Sequence, residues 1–242
     1  MDDLERYLNQ FIANNNLQSL EAEEQKTDDG GSTTTTAAAA ADGNESRTCS
    51  TCSVPPEVLE TPEDHRIILT VQNVISSVKL SCRLDLDFIT RTAWNTEYKP
   101  ERFRALIMRI REPRTTANIY QSGSLVCTGA RSIDESHRAA RRFARILQKL
   151  GFPVSFQNFK IHNMVVSCNT FPVVLEALNL VYHQHCSYEP ELFPALFFKM
   201  VPGITAIVFV QGKLILSGAK SPAEVSEALQ VIYPVLRRFM KH

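Results

Sequence analysis

The feature that most constrains the fold of this chain is a nine-residue segment that occurs twice. Residues 98–106 are YKPERFRAL, and residues 188–196 are YEPELFPAL. Two further segments repeat: residues 72–77 match 162–167, and 123–131 match 212–220. Matched segments in the same order indicate an internal duplication, and two copies are too few for a stacked repeat array. The sequence therefore predicts a pseudo-two-fold body whose two sheets are joined edge to edge.

Both copies carry the same secondary-structure signals. The Ser-Gly pair at 122–123 and the Gln-Gly pair at 211–212 separate extended segments, which predicts β-hairpins. Residues 132–135 and 221–224 have the Ser-x-x-Glu spacing of a capping box, the second with Pro at the first helical position. Each copy is therefore expected to contain a strand, a short helix, several strands and a long helix, which is an α+β architecture.

The long helix of the first copy is expected at about 132–150 and is amphipathic. Its apolar face would carry Ile133, Ala140, Phe143, Ala144 and Leu147. Its opposite face would carry a basic stripe: Arg138, Arg141, Arg142, Arg145 and Lys149. One face of this helix should therefore cover one face of the sheet.

The other face of the predicted sheet is unusual. Strand side chains alternate between faces, and a sheet with one face in water normally places charged residues on that face. In the segments 125–128, 205–210 and 214–217 both alternating sets are apolar or carry small hydroxyls. The predicted helices suffice to cover one face only, so the second face is expected to be open to a partner.

Charge is divided unevenly along the chain, although the net charge is zero. Residues 1–66 contain 14 acidic and 4 basic residues, and residues 67–242 contain 12 acidic and 22 basic residues. The domain prediction is an acidic tail (1–66, largely disordered) followed by two repeats of a basic body (67–156 and 157–242). Residues 1–12 have helical apolar spacing, which fits either a docking helix or a marginal one. A basic body favours a polyanionic partner.

Nothing in the sequence favours an enzyme or a resident cofactor. Cys49 and Cys52 form a CxxC pair, but no second ligand pair follows at zinc-site spacing. The cluster His183, His185 and Cys186 has no accompanying nucleophile or carboxylate pattern. Six cysteines without a regular framework, an acidic N-terminus and no long apolar run predict an intracellular chain without a membrane span.

A DNA minor groove suits a broad, charge-poor face with a basic rim. Its floor presents mainly hydrogen-bond acceptors at A·T pairs. Small hydroxyl, amide and β-branched side chains fit that floor, and large apolar side chains can open base steps and bend the duplex.

The motifs QNVISSV, YKPERFRALIMRIREPRTTA, LVCTGARS, AARRFARILQKLGFP and SYEPELFPAL resemble the core of the TATA-box-binding protein family. The resemblance covers about residues 67–242. It implies a saddle: a curved antiparallel sheet on the minor groove, with helices on the convex side. It also implies a nuclear transcription initiation factor that binds TATA-like promoter DNA and assembles a preinitiation complex.

The resemblance also implies roles for individual residues. Two aromatic pairs would act as wedges, Phe103 with Tyr120 and Phe193 with Phe209, and Asn73 and Asn163 would contact the centre of the site. The remaining floor contacts would be Ile75, Val126, Thr128, Val165, Ile207, Ile215 and Ser217. Candidate phosphate contacts on the rim are Arg102, Arg109, Lys199, Lys213 and Lys220. All the floor and wedge positions have the strand parity of the open face.

Partner surfaces are implied as well. Glu189, Glu191 and Leu192 match a loop that resembles a docking point for IIB-type factors, and IIA-type factors and TBP-associated factors are further implied partners. The basic helix stripe, with Arg138, Arg141, Arg142 and Arg145, resembles a partner surface but is equally typical of a solvated helix face. The alternative function is a scaffold with weak DNA binding that acts mainly through protein contacts, and the free chain could dimerise through the open face.

Four residues depart from the family pattern, and one of them is Val166, which stands where a smaller residue is usual. Asn118 stands where an apolar Leu is usual, Tyr120 where Phe is usual, and Ser217 where Thr is usual. These departures concern DNA sequence preference and leave the fold unaffected. They leave open whether the chain is the TATA-box-binding protein itself or a related factor.

Overall fold

The structure is a computed structural model that describes residues 58–59 and 67–241. Its strands are Val58–Leu59 (β1), Ile67–Ile68 (β2), Thr70–Lys79 (β3), Thr96–Lys99 (β4), Phe103–Ile110 (β5), Thr115–Ile119 (β6), Ser124–Ala130 (β7), Gln157–Asn169 (β8), Cys186–Ser187 (β9), Ala195–Phe198 (β10), Thr205–Phe209 (β11) and Lys213–Ala219 (β12). Its helices are Leu86–Thr92 (α1), Ile133–Lys149 (α2), Leu175–Val181 (α3) and Pro222–Arg237 (α4). The predicted docking helix, Cys49 and Cys52 lie outside the described residues.

Strands β3 to β12 form one antiparallel sheet of ten strands. Their order is β4-β5-β6-β7-β3-β8-β12-β11-β10-β9. The order is symmetric about the central β3–β8 ladder, so each repeat supplies five strands and the two halves meet edge to edge. The α+β class and the pseudo-two-fold sheet predicted from the repeated segments are confirmed. Strands β1 and β2 pair with each other in a separate two-stranded sheet.

The hairpins form where the sequence predicts them. Strands β6 and β7 are joined by a turn in which the Gly123 N–H donates to the Tyr120 carbonyl at 3.0 Å. In the second repeat the Gly212 N–H donates to the Phe209 carbonyl at 2.9 Å. Because these bonds occupy equivalent places, the duplication extends to the turns.

Both long helices begin with the predicted caps. The Ser132 hydroxyl accepts from the Glu135 N–H at 3.0 Å, and Ser221 accepts from Glu224 at 3.3 Å. Each cap satisfies a backbone donor that the first helical turn would otherwise leave unpaired. Helix α2 therefore starts at Ile133, directly after Ser132.

The four described helices all pack on one face of the sheet. Helices α1 and α2 share a first-repeat core with alternate residues of β3, β5, β6 and β7. Helices α3 and α4 share a second-repeat core with alternate residues of β8, β10, β11 and β12. The predicted apolar face of α2 is buried in the first-repeat core, except for Ile133, which is half-buried, packs beside the centre of the sheet and lies outside that core.

A hydroxyl pair fixes α2 to the middle of the sheet. The Ser136 hydroxyl lies 2.7 Å from the Ser76 hydroxyl of β3, and both side chains are fully buried. Because a buried hydroxyl needs a partner, each serine satisfies the other.

Within the described residues, no helix is long and apolar enough to cross a membrane.

Candidate nucleic-acid interface

The second face of the sheet carries the side chains that the sequence assigns to it. On β7, Leu125 and Cys127 belong to the first-repeat core, whereas Val126 does not. On β11, Ala206 and Val208 belong to the second-repeat core, whereas Ile207 does not. We call this second face the floor; besides Val126 and Ile207 it contains Ile75, Thr128, Val165, Ile215 and Ser217.

The floor is less open than the sequence predicts. Ile75, Val165 and Ile215 expose 0%, 2% and 5% of their surface. Floor side chains are direct cross-strand partners, as for Ile207 with Ile215 and Asn118 with Val126. Cross-strand partners lie about 4.5–5.5 Å apart at Cβ, so each one shields its neighbours. These three side chains are therefore not exposed, although the sequence predicts an open face, and dimerisation of the free chain through this face stays a prediction.

An asparagine from each repeat is held in the same way at the centre of the sheet. The Asn73 side-chain oxygen accepts from the Gly129 N–H at 2.7 Å, and the Asn163 oxygen accepts from the Gly218 N–H at 2.7 Å. Because each oxygen is engaged, each amide nitrogen Nδ2 is left as the polar atom that can donate to a ligand. The Asn163 Nδ2 already donates one of its two hydrogens to the Ser217 hydroxyl at 3.3 Å, so one N–H of this amide remains.

The glycines that hold the asparagines lie where the ladders are interrupted. The register between β12 and β8 shifts between Ser217 and Ala219, so Gly218 sits in a bulge. Gly218 has φ +115°, and a Cβ there would lie 2.0 Å from the Gly203 carbonyl oxygen. Only glycine fits this position, and its N–H is turned toward Asn163. This role of the glycines was not predicted from the sequence, although the Gly-Ala pair recurs at 129–130 and 218–219.

Three aromatic side chains on the open face of the second repeat form one cluster. The Phe193 ring centroid lies 6.2 Å from that of Phe209, in an edge-to-face arrangement. Phe197 stacks on Phe193 at 5.4 Å. Phe197 pairs directly with Ile207, so it shares the floor and was missed by the sequence analysis. The alternation of the segment 195–198 would have placed it there.

The first repeat has a sparser aromatic arrangement. Phe103 begins β5 and is half-buried, while Tyr120 directly follows β6 and exposes 9% of its surface. The position equivalent to Phe197 is Ile107, which pairs with Asn118. The two halves of the floor therefore differ in aromatic content.

The candidate phosphate contacts differ in their surroundings. Arg102, Lys199 and Lys220 are exposed, and Lys213 is half-buried. Arg109 is exposed but its Nη1 lies 3.5 Å from a Glu97 carboxylate oxygen. A hydrogen bond from Lys99 and the positive charges of Lys99 and Arg109 lower the pKa of the Glu97 carboxyl group. Because Arg109 is already paired with Glu97, it is a weaker candidate than Arg102, Lys199 and Lys220.

The predicted partner surfaces are accessible. Glu189, Glu191 and Leu192 lie in the loop before β10, and Leu192 exposes 80% of its surface. The backbone of this loop is held because the Leu192 and Phe193 N–H groups both donate to the Glu189 carbonyl.

All four arginines of the basic stripe on α2 are exposed, but two already contact this chain. Arg142 donates to the Glu112 carbonyl, and the Arg141 guanidinium lies 5.7 Å from the centre of the Phe156 ring. Arg138 and Arg145 are the arginines of the stripe best placed for a partner.

The described cysteines and histidines do not form a reactive or metal-binding group. Burial raises the pKa of the Cys127 thiol to about 12 and that of Cys168 to about 11. A protonated thiol is a poor nucleophile and a poor metal ligand. His183 and His185 are exposed, and within 67–241 no three His, Cys, Asp or Glu side chains come together at metal-binding distance.

Comparison with known proteins agrees with this architecture. The family model described as "Transcription factor TFIID (or TATA-binding protein, TBP)" matches residues 68–150 and 158–239, one match for each repeat. The structure of Methanococcus jannaschii TBP superposes with a TM-score of 0.64 at 29% identity, covering 70% of this chain and 98% of that one.

Sequence relatives are closer still. TATA box-binding protein-like 2 of Takifugu rubripes is 57% identical over 177 residues, which is 72% of this chain and 55% of the relative. The TATA-box-binding protein of Xenopus tropicalis is 54% identical over 181 residues, 74% of this chain and 61% of the relative. The matched part of the chain thus spans little more than half the length of these relatives. The molecule is a pseudo-symmetric α+β protein with an internally duplicated sheet. It belongs to the TATA-binding protein family.

Proposed function

We propose that this chain is a transcription initiation factor that binds the minor groove of A·T-rich promoter DNA with its floor. The observation that carries the proposal is the pair of central asparagines, each held by a glycine N–H so that an amide donor remains. Minor-groove A·T pairs offer acceptors only, which matches a donor at the centre of an otherwise apolar surface. The exposed rim cations would add sequence-independent attraction to phosphates.

The aromatic residues would kink the duplex. Apolar side chains inserted between base steps unstack them and bend the DNA. The TATA-binding protein is itself the standard example of this behaviour, and its known bend of about 80° is the value expected for this member of the family. Phe193 and Phe209 touch each other and are half-buried, so one aromatic unit would enter at one end of the site. Phe103 and Tyr120 would act at the other end.

The test is a fluorescence bending assay on an A·T-rich TATA duplex and on a scrambled G·C-rich duplex at physiological salt. The wild-type chain should bend the first duplex only. Replacing Phe193 and Phe209 together by Ala should abolish bending, and Phe88→Ala should not, because Phe88 belongs to α1 on the helix-covered side. Equal bending by the double variant would refute the wedge assignment.

A second role, protein docking, is favoured by the exposure of Leu192 beside Glu189 and Glu191. An exposed apolar side chain beside two carboxylates fits a basic partner with an apolar pocket. The family resemblance implies that this partner is a IIB-type factor. Glu191→Arg should abolish capture of such a factor on preformed DNA complexes while leaving DNA bending unchanged. Loss of bending as well would mean that the loop acts on DNA.

A further inference from the structure

Asn118 is the buried polar residue of the floor whose side chain has no hydrogen-bond partner among the described residues. It lies in β6, where Ala117 and Ile119 belong to the first-repeat core, so Asn118 points to the other face. Its cross-strand neighbours on the floor are Ile107 and Val126, both apolar. Only 7% of its surface is exposed.

Other buried polar side chains of the described residues are satisfied. Ser76 and Ser136 bond to each other, the Thr115 hydroxyl donates to the Pro113 carbonyl at 3.2 Å, and Asn163 is held by Gly218. Within residues 67–241, every polar side-chain atom that is fully enclosed has a hydrogen-bond partner. The Asn118 carboxamide has no such partner in this range, so it is not fully enclosed and reaches the open side of the floor. A largely buried amide that lacks a protein partner is unfavourable once a ligand excludes water, which indicates that the ligand itself satisfies it.

The internal duplication supplies the matching position without that amide. Residues 115–120 are TTANIY and residues 204–209 are ITAIVF, so Ile207 occupies the place of Asn118. Ile207 pairs with Ile215 as Asn118 pairs with Val126. At this point of the floor the first repeat therefore presents an amide and the second repeat an alkyl group.

This difference has a direct meaning in the minor groove. A·T pairs present acceptors only, whereas a G·C pair adds the guanine 2-amino group as a donor. An alkyl side chain leaves that amino group without an acceptor. A carboxamide can accept from it with its oxygen and can donate to a neighbouring ring acceptor with its nitrogen.

We infer that Asn118 lets the first-repeat half of the floor accept a G·C base pair, while Ile207 restricts the second-repeat half to A·T. The inference rests on the proposed function, since it concerns the same face. The two half-floors lie on opposite sides of the β3–β8 ladder and so face opposite halves of a bound duplex. The chain would therefore accept one G·C pair per site, placed in the half that faces Asn118.

The experiment uses the full chain and three kinds of duplex. One contains only A·T pairs, one contains a single G·C pair, and one contains two G·C pairs placed symmetrically about the centre. The G·C position is moved through each half-site, and affinity is measured by fluorescence anisotropy. Because the chain can bind a near-symmetric site in either orientation, the comparison of one with two G·C pairs is the decisive one.

The wild-type chain should bind the single-G·C duplex at its best position within about threefold of the A·T duplex. It should bind the double-G·C duplex about tenfold more weakly, the usual size of one mismatched base pair. Asn118→Ile should show the tenfold loss already with a single G·C pair. Ile207→Asn should bind the double-G·C duplex nearly as well as the A·T duplex.

Inosine identifies the chemical group that is recognised. Inosine·C lacks the 2-amino group and presents the minor-groove pattern of A·T. Replacing guanosine by inosine should therefore abolish every difference between Asn118→Ile and the wild type. A difference that persists with inosine would overturn the assignment to the amino group.

The outcomes separate the two proposals. If Asn118→Ile and Asn118→Leu keep wild-type affinity for the single-G·C duplex, the inference about Asn118 is overturned. Binding of the A·T duplex in the same experiment would still support the proposed function. A wild-type chain that binds none of the duplexes overturns both. Thermal melts show whether each variant is folded, and the Asn118→Leu variant decides the question if Ile207→Asn does not fold.

Discussion

Asn73→Asp separates the structural use of the central asparagine from its proposed use on DNA. The Asn73 oxygen accepts from the Gly129 N–H at 2.7 Å, and an aspartate oxygen can accept the same bond. The amide nitrogen becomes a carboxylate oxygen, so the donor is lost and a negative charge takes its place. Because Asn73 is only half-buried, water can solvate that charge in the free chain.

The two effects have different sizes. The bond to Gly129 becomes charge-assisted and offsets part of the cost of the charge, so the free energy of unfolding should change by less than about 1 kcal/mol. On DNA the lost donor and the acceptor-facing charge should cost about 1–3 kcal/mol, as for other disrupted base contacts. Since about 1.4 kcal/mol corresponds to a tenfold change, the dissociation constant should rise about 5- to 150-fold.

The assay is fluorescence anisotropy on an A·T-rich duplex at fixed salt, paired with a urea titration of the same sample. Asn73→Ala removes the donor without adding a charge and should lose about 2- to 12-fold in affinity. It also removes the oxygen that accepts from the Gly129 N–H, so its stability is compared with that of Asn73→Asp in the same urea titration. An aspartate variant that is as stable as the wild type and binds DNA equally well would refute the role of the Asn73 donor.

The remaining predictions rest on other contacts. Ser136→Ala should lower the free energy of unfolding by about 1–3 kcal/mol, because the fully buried Ser76 hydroxyl loses its partner. In urea titrations the double Ser76→Ala, Ser136→Ala variant should lose less stability than the sum of the two single variants. Additive losses of stability would contradict the pairing of the two hydroxyls. Cys127 should resist iodoacetamide at pH 8 in the native chain and react after denaturation, because burial raises the pKa of its thiol to about 12. Mass spectrometry measures the alkylated fraction, and rapid labelling of the native chain would contradict the prediction. Lys199→Ala should weaken binding to A·T-rich and G·C-rich duplexes alike, and it should reduce the slope of log affinity against log salt concentration by about 1. A loss of affinity for only one of the two duplexes would exclude a phosphate contact.

The parts of the fold with local or repeated signals could be predicted from the sequence. The turns at 122–123 and 211–212 and the caps at Ser132 and Ser221 depend on short-range chemistry, and the structure places them as expected. The two faces of the sheet followed from alternation along each strand. The symmetric strand order followed from the order of the repeated segments.

The contacts that depend on distant residues could not be predicted. The bond from Gly129 to Asn73 spans 56 positions and exists because a bulge turns one N–H out of the ladder. The Arg142 contact with Glu112 removes one arginine from a stripe that looked uniform in the sequence. The low exposure of the floor side chains results from side chains on neighbouring strands. The alternation of residues along one strand does not show which residues of the next strand lie beside them.

The separation of the two cores has a consequence for how such a molecule can evolve. The first-repeat and second-repeat cores share no buried residue, and the halves meet at the β3–β8 ladder. At this seam the halves are also joined by side chains: Val74 and Ala130 pack with Met164, and Gln72 and Ser77 form hydrogen bonds with Ser167 and His162. Away from these contacts the two cores are separate clusters, so mutations in one core need no matching change in the other. Selection can therefore change the floor residues of one half while the other half keeps its original floor residues. A protein that first bound DNA symmetrically can in this way come to bind it in one orientation.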